Sequence, residues 1–151
     1  MKKQLEMVEE FQRKYGLLLE RDLTDADYNS ALWNLFNILP SLRGPLHVLS
    51  NLSENDPITH RLSLILEEFT ELCEAFTRKD KEEVIDAIGD LLYTVLGACT
   101  DFQLPIEEIF DRIHASNMTK EKVKNGKERC KGATFCSPSF KEIVDSGSTG
   151  L

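Results

Sequence analysis

Basic residues are missing from two long stretches of this chain. No Lys or Arg occurs between residues 62 and 77, and none between 84 and 111. The segment 62–111 holds thirteen acidic residues against three basic ones (Arg78, Lys79, Lys81), a net −10 in a chain whose total is −8, so the remainder sums to +2. An ordinary solvated helix face alternates Glu with Lys four residues on, because like charges at that spacing repel. Long apolar runs are absent too: none approaches the ~18 residues of a membrane span. The start, Met-Lys-Lys-Gln-Leu-Glu, turns acidic and amphipathic after two bases, so no signal peptide is expected. The four cysteines show neither C-x-x-C pairing nor a disulfide framework. Cys73 and Cys99 fall on apolar helix faces, where a free thiol acts as a small hydrophobe, and a reducing, cytoplasmic compartment is expected. An acidic body argues against wrapping nucleic acid. Strand-like alternation of useful length is also missing.

Helical periodicity is what remains. At 151 residues the expectation is one domain with a real core over 1–140, followed by a flexible tail, 141–151. Leu5, Val8, Phe11 and Tyr15 predict a helix over 2–15, stopped by Gly16. Thr24 or Asp25 can cap a second helix bearing Leu32, Leu35 and Phe36, ending before Pro40. The stretch 41–57 reads as loop with at most a short helix. Helices over 58–78 and 82–102 flank a tight turn, Lys79-Asp80-Lys81, and Pro105 suits the first position of a further helix ending near Asn117. The fold class is all-α, a helical bundle of four to five helices.

The two central helices each carry an acid stripe and an apolar stripe. At about 100° per residue, Glu71 lies about 40° from Glu67, Glu74 about −20° and Glu68 about 100°, with Ile65, Phe69, Leu72, Cys73 and Phe76 opposite. On the next helix Asp90 lies about 40° and Glu83 about 60° from Asp86, opposed by Val84, Ile88, Leu91, Leu92, Val95 and Cys99. A short connection makes the helices antiparallel neighbours, so a modest rotation gathers five or six carboxylates. A solvated surface stripe has the same periodicity. Against that stand the missing cations and the continuation of the second stripe into Tyr93 and Gly97.

Carboxylates at close range stay ionised only beside a cation. Oxygen ligands suit hard divalent ions, so Mg²⁺ is expected, with Mn²⁺ as the alternative. Zinc or copper would need His or Cys within the stripes. A di-iron bundle would need Glu-x-x-His twice, and the chain offers only Asp111-x-x-His114. Between Arg112 and Lys131 seven bases face Glu121 and Glu128. Beside an acid-bound metal such a segment suggests a polyphosphate substrate; a basic surface tail and a nucleic-acid-binding tail are the alternatives, the last lacking interleaved aromatics before Phe135 and Phe140.

The run Arg61-Leu-Ser-Leu-Ile-Leu-Glu67-Glu68-Phe-Thr-Glu71, followed by Glu83-Val-Ile-Asp86-Ala-Ile-Gly-Asp90-Leu-Leu-Tyr93, resembles the all-α nucleoside triphosphate pyrophosphohydrolases. Their signature is E-E-x-x-E on one helix and E-x-x-D on the next. His114-Ala-Ser-Asn117-Met-Thr-Lys120, Asn125-Gly-Lys127 and Lys131-Gly-x-x-Phe135-x-x-Pro138 extend the likeness to the MazG-like and phosphoribosyl-ATP-pyrophosphohydrolase-like branch, related to the dimeric dUTPases. Residues 60–140 are covered well, 8–16 loosely, and 20–57 not at all. One departure stands out: the usual glutamate position three residues before Asp90 holds Ala87, which reads as a shifted ligand set using Glu83, Asp86 and Asp90.

The resemblance implies an Mg-dependent hydrolase cleaving a (deoxy)nucleoside triphosphate to monophosphate and pyrophosphate, or the same cut in phosphoribosyl-ATP. Glu67, Glu68, Glu71, Asp86, Asp90 and Glu83 are the implied metal ligands, and Glu67, Glu68 and Glu71 carry catalysis. Lys120, Lys127 and Lys131 are the phosphate-binding candidates, Asn117 contacts sugar or base, and Arg61 reaches a phosphate or serves the surface. Tyr93 lines the nucleoside pocket or is a core tyrosine. The family assembles dimers or tetramers, so a homo-oligomer is expected. The unmatched 20–57, with Trp33, Phe36 and Leu39, is expected to serve base selection or the interface. No membrane or stable nucleic-acid partner is expected. A non-enzymatic acidic adaptor for a basic partner is the contrasting possibility.

Overall fold

The computed structural model describes residues 1–17, 24–52, 56–122, 129–147 and 149. Among them are six helices and one minimal hairpin: α1 (Lys2–Tyr15), α2 (Asp25–Leu52), α3 (Pro57–Arg78), α4 (Lys81–Asp101), α5 (Ile106–Asn117), β1 (Glu121–Lys122), β2 (Arg129–Cys130) and α6 (Lys141–Asp145). The all-α reading holds, and no described helix is long and apolar enough to cross a membrane. The chain forms two compact units, residues 23–100 and residues 1–22 with 101–151.

In the first unit α2 packs along α3. Here the expected break before Pro40 is wrong: α2 runs through both Pro40 and Pro45 to Leu52. Each proline removes one intrahelical N–H bond and crowds the preceding turn. The outcome is decided by an apolar series the prolines do not interrupt. Leu32, Leu35, Leu39, Leu42, Leu46 and Leu49 repeat at alternating spacings of three and four, and every one is half-buried, while Ile38 and Val48, off that seam, are exposed. Packing of this stripe supplies what the broken ladder lacks.

The α3 helix begins at a strong cap. The Asp56 carboxylate accepts from the Ile58 amide at 3.0 Å and from the Thr59 hydroxyl, and Pro57 occupies the first turn. It ends on Lys79 in the left-handed region (φ 57°), whose amide bonds the Phe76 carbonyl while the Asp80 amide bonds that of Ala75. Asp80 then caps α4, accepting from the amides of Glu82 (3.0 Å) and Glu83 (3.2 Å). Chain reversal is thus complete within two residues, which makes α3 and α4 the expected antiparallel pair. The buried Ser63 and Thr70 hydroxyls donate to carbonyls of their own helix, so neither is left unsatisfied.

The second unit is built on α1 and α5. Gly16 (φ 65°) ends α1 as expected. The Lys3 ammonium pairs with Asp111 at 2.7 Å, Glu10 lies 3.4 Å from His114, and the buried Tyr15 hydroxyl donates to the carbonyl of Lys120. Pro105 stands just before α5 rather than inside it. The segment expected as a tail begins with α6, where Ile143 is buried and Glu142 meets Arg112 at 2.8 Å.

Candidate active site

Glu67, Glu68 and Glu71 come from α3, and Glu83, Asp86 and Asp90 from α4. Three pairs along the two helices fix how they meet. Arg78 at the end of α3 donates to Glu83 at the start of α4 (2.7 Å). Midway, Asp90 and Asp86 act electrostatically on Glu68. At the far end the Arg61 guanidinium lies 3.1 Å from where a side chain on Gly97 would begin. Residue numbers rise on one helix as they fall on the other, as antiparallel neighbours require, and the charges of Asp86 and Asp90 reach Glu68 across the gap.

Glu68 is the centre of this arrangement. It is half-buried, whereas Glu67, Glu71, Asp86 and Asp90 around it are exposed. Burial first, and then the charges of Glu71, Asp90, Glu67 and Asp86, hold its carboxyl above the ordinary value. Ala87, at the position where the likeness calls for glutamate, is only 6% exposed. A carboxylate there would be buried, whereas Asp90, one turn on, is exposed. Beside Asp86 and Asp90 lies an open groove of about 540 Å³, lined also by Glu82, Glu83, Ile85 and Gly89.

Two acids of the stripes have cations after all. Arg43, 31 residues before Glu74 in sequence, donates to its carboxylate at 2.7 Å, and Arg78 approaches the other oxygen at 3.4 Å. The Arg43 hydrogen bond is the first cause holding the Glu74 carboxyl below its usual range. Glu83 is likewise occupied by Arg78. The expectation that hardly a cation lies near these acids therefore fails at the turn end, where Arg78 meets both Glu74 and Glu83; the trough beyond, with Glu67, Glu68, Glu71, Asp86 and Asp90, makes no ion pair with these two arginines among the described residues. Arg43 and His47 were missed because they fall in the stretch read as loop; the uninterrupted leucine spacing was the signal that could have found them.

The donors in the trough are all carboxylate oxygens, a set that suits a hard divalent ion. Their spacing is open: among the described residues, no three Asp, Glu, His or Cys side chains stand close enough to hold a metal. Tyr93 is 80% exposed, which removes its reading as a core residue. Asn117, Lys120 and Lys131 belong to the other unit. There the Asn117 and Lys120 carbonyls accept from Tyr15, and the Lys131 ammonium sits 5.0 Å over the Phe135 ring. Lys127 lies outside the described residues, as do the side chains of Trp33 and Phe36.

No curated protein and no solved structure matches the chain. Residues 49–117 match the family model described as phosphoribosyl-ATP pyrophosphohydrolase, a span that contains α3, α4 and α5 and every acid of the trough. The matched family is one of the all-α nucleoside triphosphate pyrophosphohydrolases, hydrolases that act on acid anhydrides.

Proposed function

We propose that the chain is an Mg-dependent pyrophosphohydrolase that cuts a nucleoside 5′-triphosphate between the α and β phosphates, releasing the monophosphate and pyrophosphate. The observation that carries this is Glu68, half-buried and under the charge of four further carboxylates from two helices, all inside the matched segment. Glu67, Glu68, Glu71 and Asp90 would hold the metal, with Asp86 assisting; Mn²⁺ is the alternative ion. Bound there, a divalent ion supplies acidification of a coordinated water and neutralisation of charge on the leaving pyrophosphate. Glu68, held above the usual carboxylate range, is suited to accept the water's proton. Lys120, Lys127 and Lys131 are the candidates for the phosphates, Asn117 for the sugar or base, Arg61 for the leaving group and Tyr93 for the nucleoside.

A second reading, phosphoribosyl-ATP as the substrate, is favoured by the description of the matching family. It needs the same bond cleaved by the same trough. Self-association belongs to the proposal as well: Ile85, Ile88, Leu92 and Val95 repeat at spacings of three, four and three on α4, and all four are exposed, a seam of the kind that pairs helices. The four free thiols fit a cytoplasmic setting.

The test is pyrophosphate release, with and without Mg²⁺, across ribo- and deoxynucleoside triphosphates and phosphoribosyl-ATP. Turnover is expected on at least one of these, dependent on divalent metal and reduced at least about a hundredfold by Glu71→Gln. Turnover that survives that substitution, or none on any substrate, rejects the assignment and leaves the adaptor reading.

A further inference from the structure

A cavity of about 290 Å³ lies between α2 and α3, lined by Arg43, Leu46, His47, Ser63 and Glu67. It shares Glu67 with the acidic trough, so the two sites are contiguous. Three of its five residues come from α2 and lie upstream of the matched segment 49–117. This wall therefore lies outside the matched segment and beside the acids of the proposed reaction. We propose that this cavity is the nucleobase subsite, with Leu46 and His47 as its specificity-determining residues.

The chemistry of the lining favours a flat, neutral heterocycle over a phosphate or a bare cation. Glu67 repels an anion, and the charge of Arg43 is already met by Glu74 at 2.7 Å. The guanidinium is a flat group, and such planes stack on aromatic rings. Leu46, half-buried, offers an aliphatic wall. The His47 ring is steadied by Asn51, whose amide nitrogen lies 3.3 Å from Nε2. Ser63, whose hydroxyl donates to the His60 carbonyl at 2.8 Å, keeps an oxygen free to accept from a base N–H. At ~30 Å³ per water the cavity holds about ten waters, more space than a single hydrated ion occupies. With the base here, the α-phosphate of the same nucleotide reaches toward Glu67 and the acids beyond it.

The assignment rests on the proposed pyrophosphohydrolase reading, and the experiment separates the two. Ribose 5-triphosphate, which has the phosphates and sugar but no base, is compared with nucleoside triphosphates in the pyrophosphate assay. Leu46→Trp, which fills the cavity, and His47→Ala, at an exposed position, are each expected to lower the ratio of kcat/KM for nucleoside triphosphate over ribose triphosphate by about tenfold or more. An unchanged ratio in His47→Ala overturns the base subsite while leaving the reaction standing, including the outcome in which both substrates suffer equally because the cavity holds phosphate. Calorimetry with an uncharged nucleoside supplies a reading independent of turnover. Binding to the wild type that weakens at least about tenfold in His47→Ala supports the subsite even in a protein that hydrolyses nothing; a protein that neither hydrolyses nucleotides nor binds nucleosides has lost both proposals.

Discussion

Glu68 and Glu74 sit less than two turns apart on the same helix, and their surroundings push them in opposite directions. Glu74 is met by Arg43 and Arg78 and is held ionised; Glu68 is surrounded by carboxylates and is held toward its neutral form. The sign of the Glu68 effect gives a test. A carboxyl raised in the folded state binds its proton more tightly there than in the unfolded chain, so its stabilising contribution is present at low pH and is lost as pH rises through the raised value. Without divalent metal, Glu68→Gln is therefore expected to melt higher than wild type at about pH 8, with the gap closing as the wild-type group is protonated on acidification. Saturating Mg²⁺ should reverse the order, because only the intact acid set gains stability from the ion. Scanning calorimetry at two pH values, with chelator and with Mg²⁺, reads both effects; a Glu68→Gln protein that melts lower in chelator at high pH would contradict the crowding of charge inferred here.

Helix pairing is where the acids become a site, and Arg61 against Gly97 marks one end of it. A methyl group on Gly97 would stand 3.1 Å from the end of a flexible guanidinium, not from backbone. Alanine gains about 1 kcal/mol over glycine inside a helix, and moving the guanidinium by a few tenths of an ångström costs less. Gly97→Ala is thus expected to raise thermal stability by a few degrees while shifting Arg61, so that KM changes more than kcat if Arg61 meets the leaving group. A fall in melting temperature would mean that the contact is backbone-tight. The α3–α4 reversal was legible in advance because its determinant is local, the short Lys79-Asp80-Lys81 turn between two periodic segments. The course of α2 was misread since proline is a local signal as well, whereas the leucine seam that overrides it acts only through contact with another helix.

At the scale of the whole chain the unpaired surface is telling. The large apolar residues of α4 expected in the core (Ile88, Leu92 and Val95) are exposed, along with Ile85 at 73%, whereas the buried positions of that helix are Ala87 and Ala98. The bulky seam of α4 is left open among the described residues. Each aliphatic side chain taken fully out of water is worth about 1.5–3 kcal/mol, so covering this seam would favour the self-association proposed above against the cost of bringing two chains together. Light scattering on the wild type is expected to give a dimer or tetramer, and Leu92→Glu to give a smaller species with its helical circular dichroism intact. A wild type that is monomeric at all concentrations would assign the seam to another role.

Composition and periodicity alone determined the helical class, the ends of α1, α3, α4 and α5 to within a residue, and the two acid stripes, because caps, turns and repeat spacings are properties of neighbouring residues. Tertiary structure alone decided which acids are met by an arginine among the described residues. Arg43 reaches Glu74 across 31 residues of sequence, Arg78 takes Glu83 across a turn, and Glu68 is left at the centre of the uncompensated charge. The cavity beside Glu67 was likewise hidden, since its wall belongs to a helix that persists through two prolines only while its leucines are packed. Charge and shape at a site are sums over all neighbours in space, and a linear chain states only the neighbours in order.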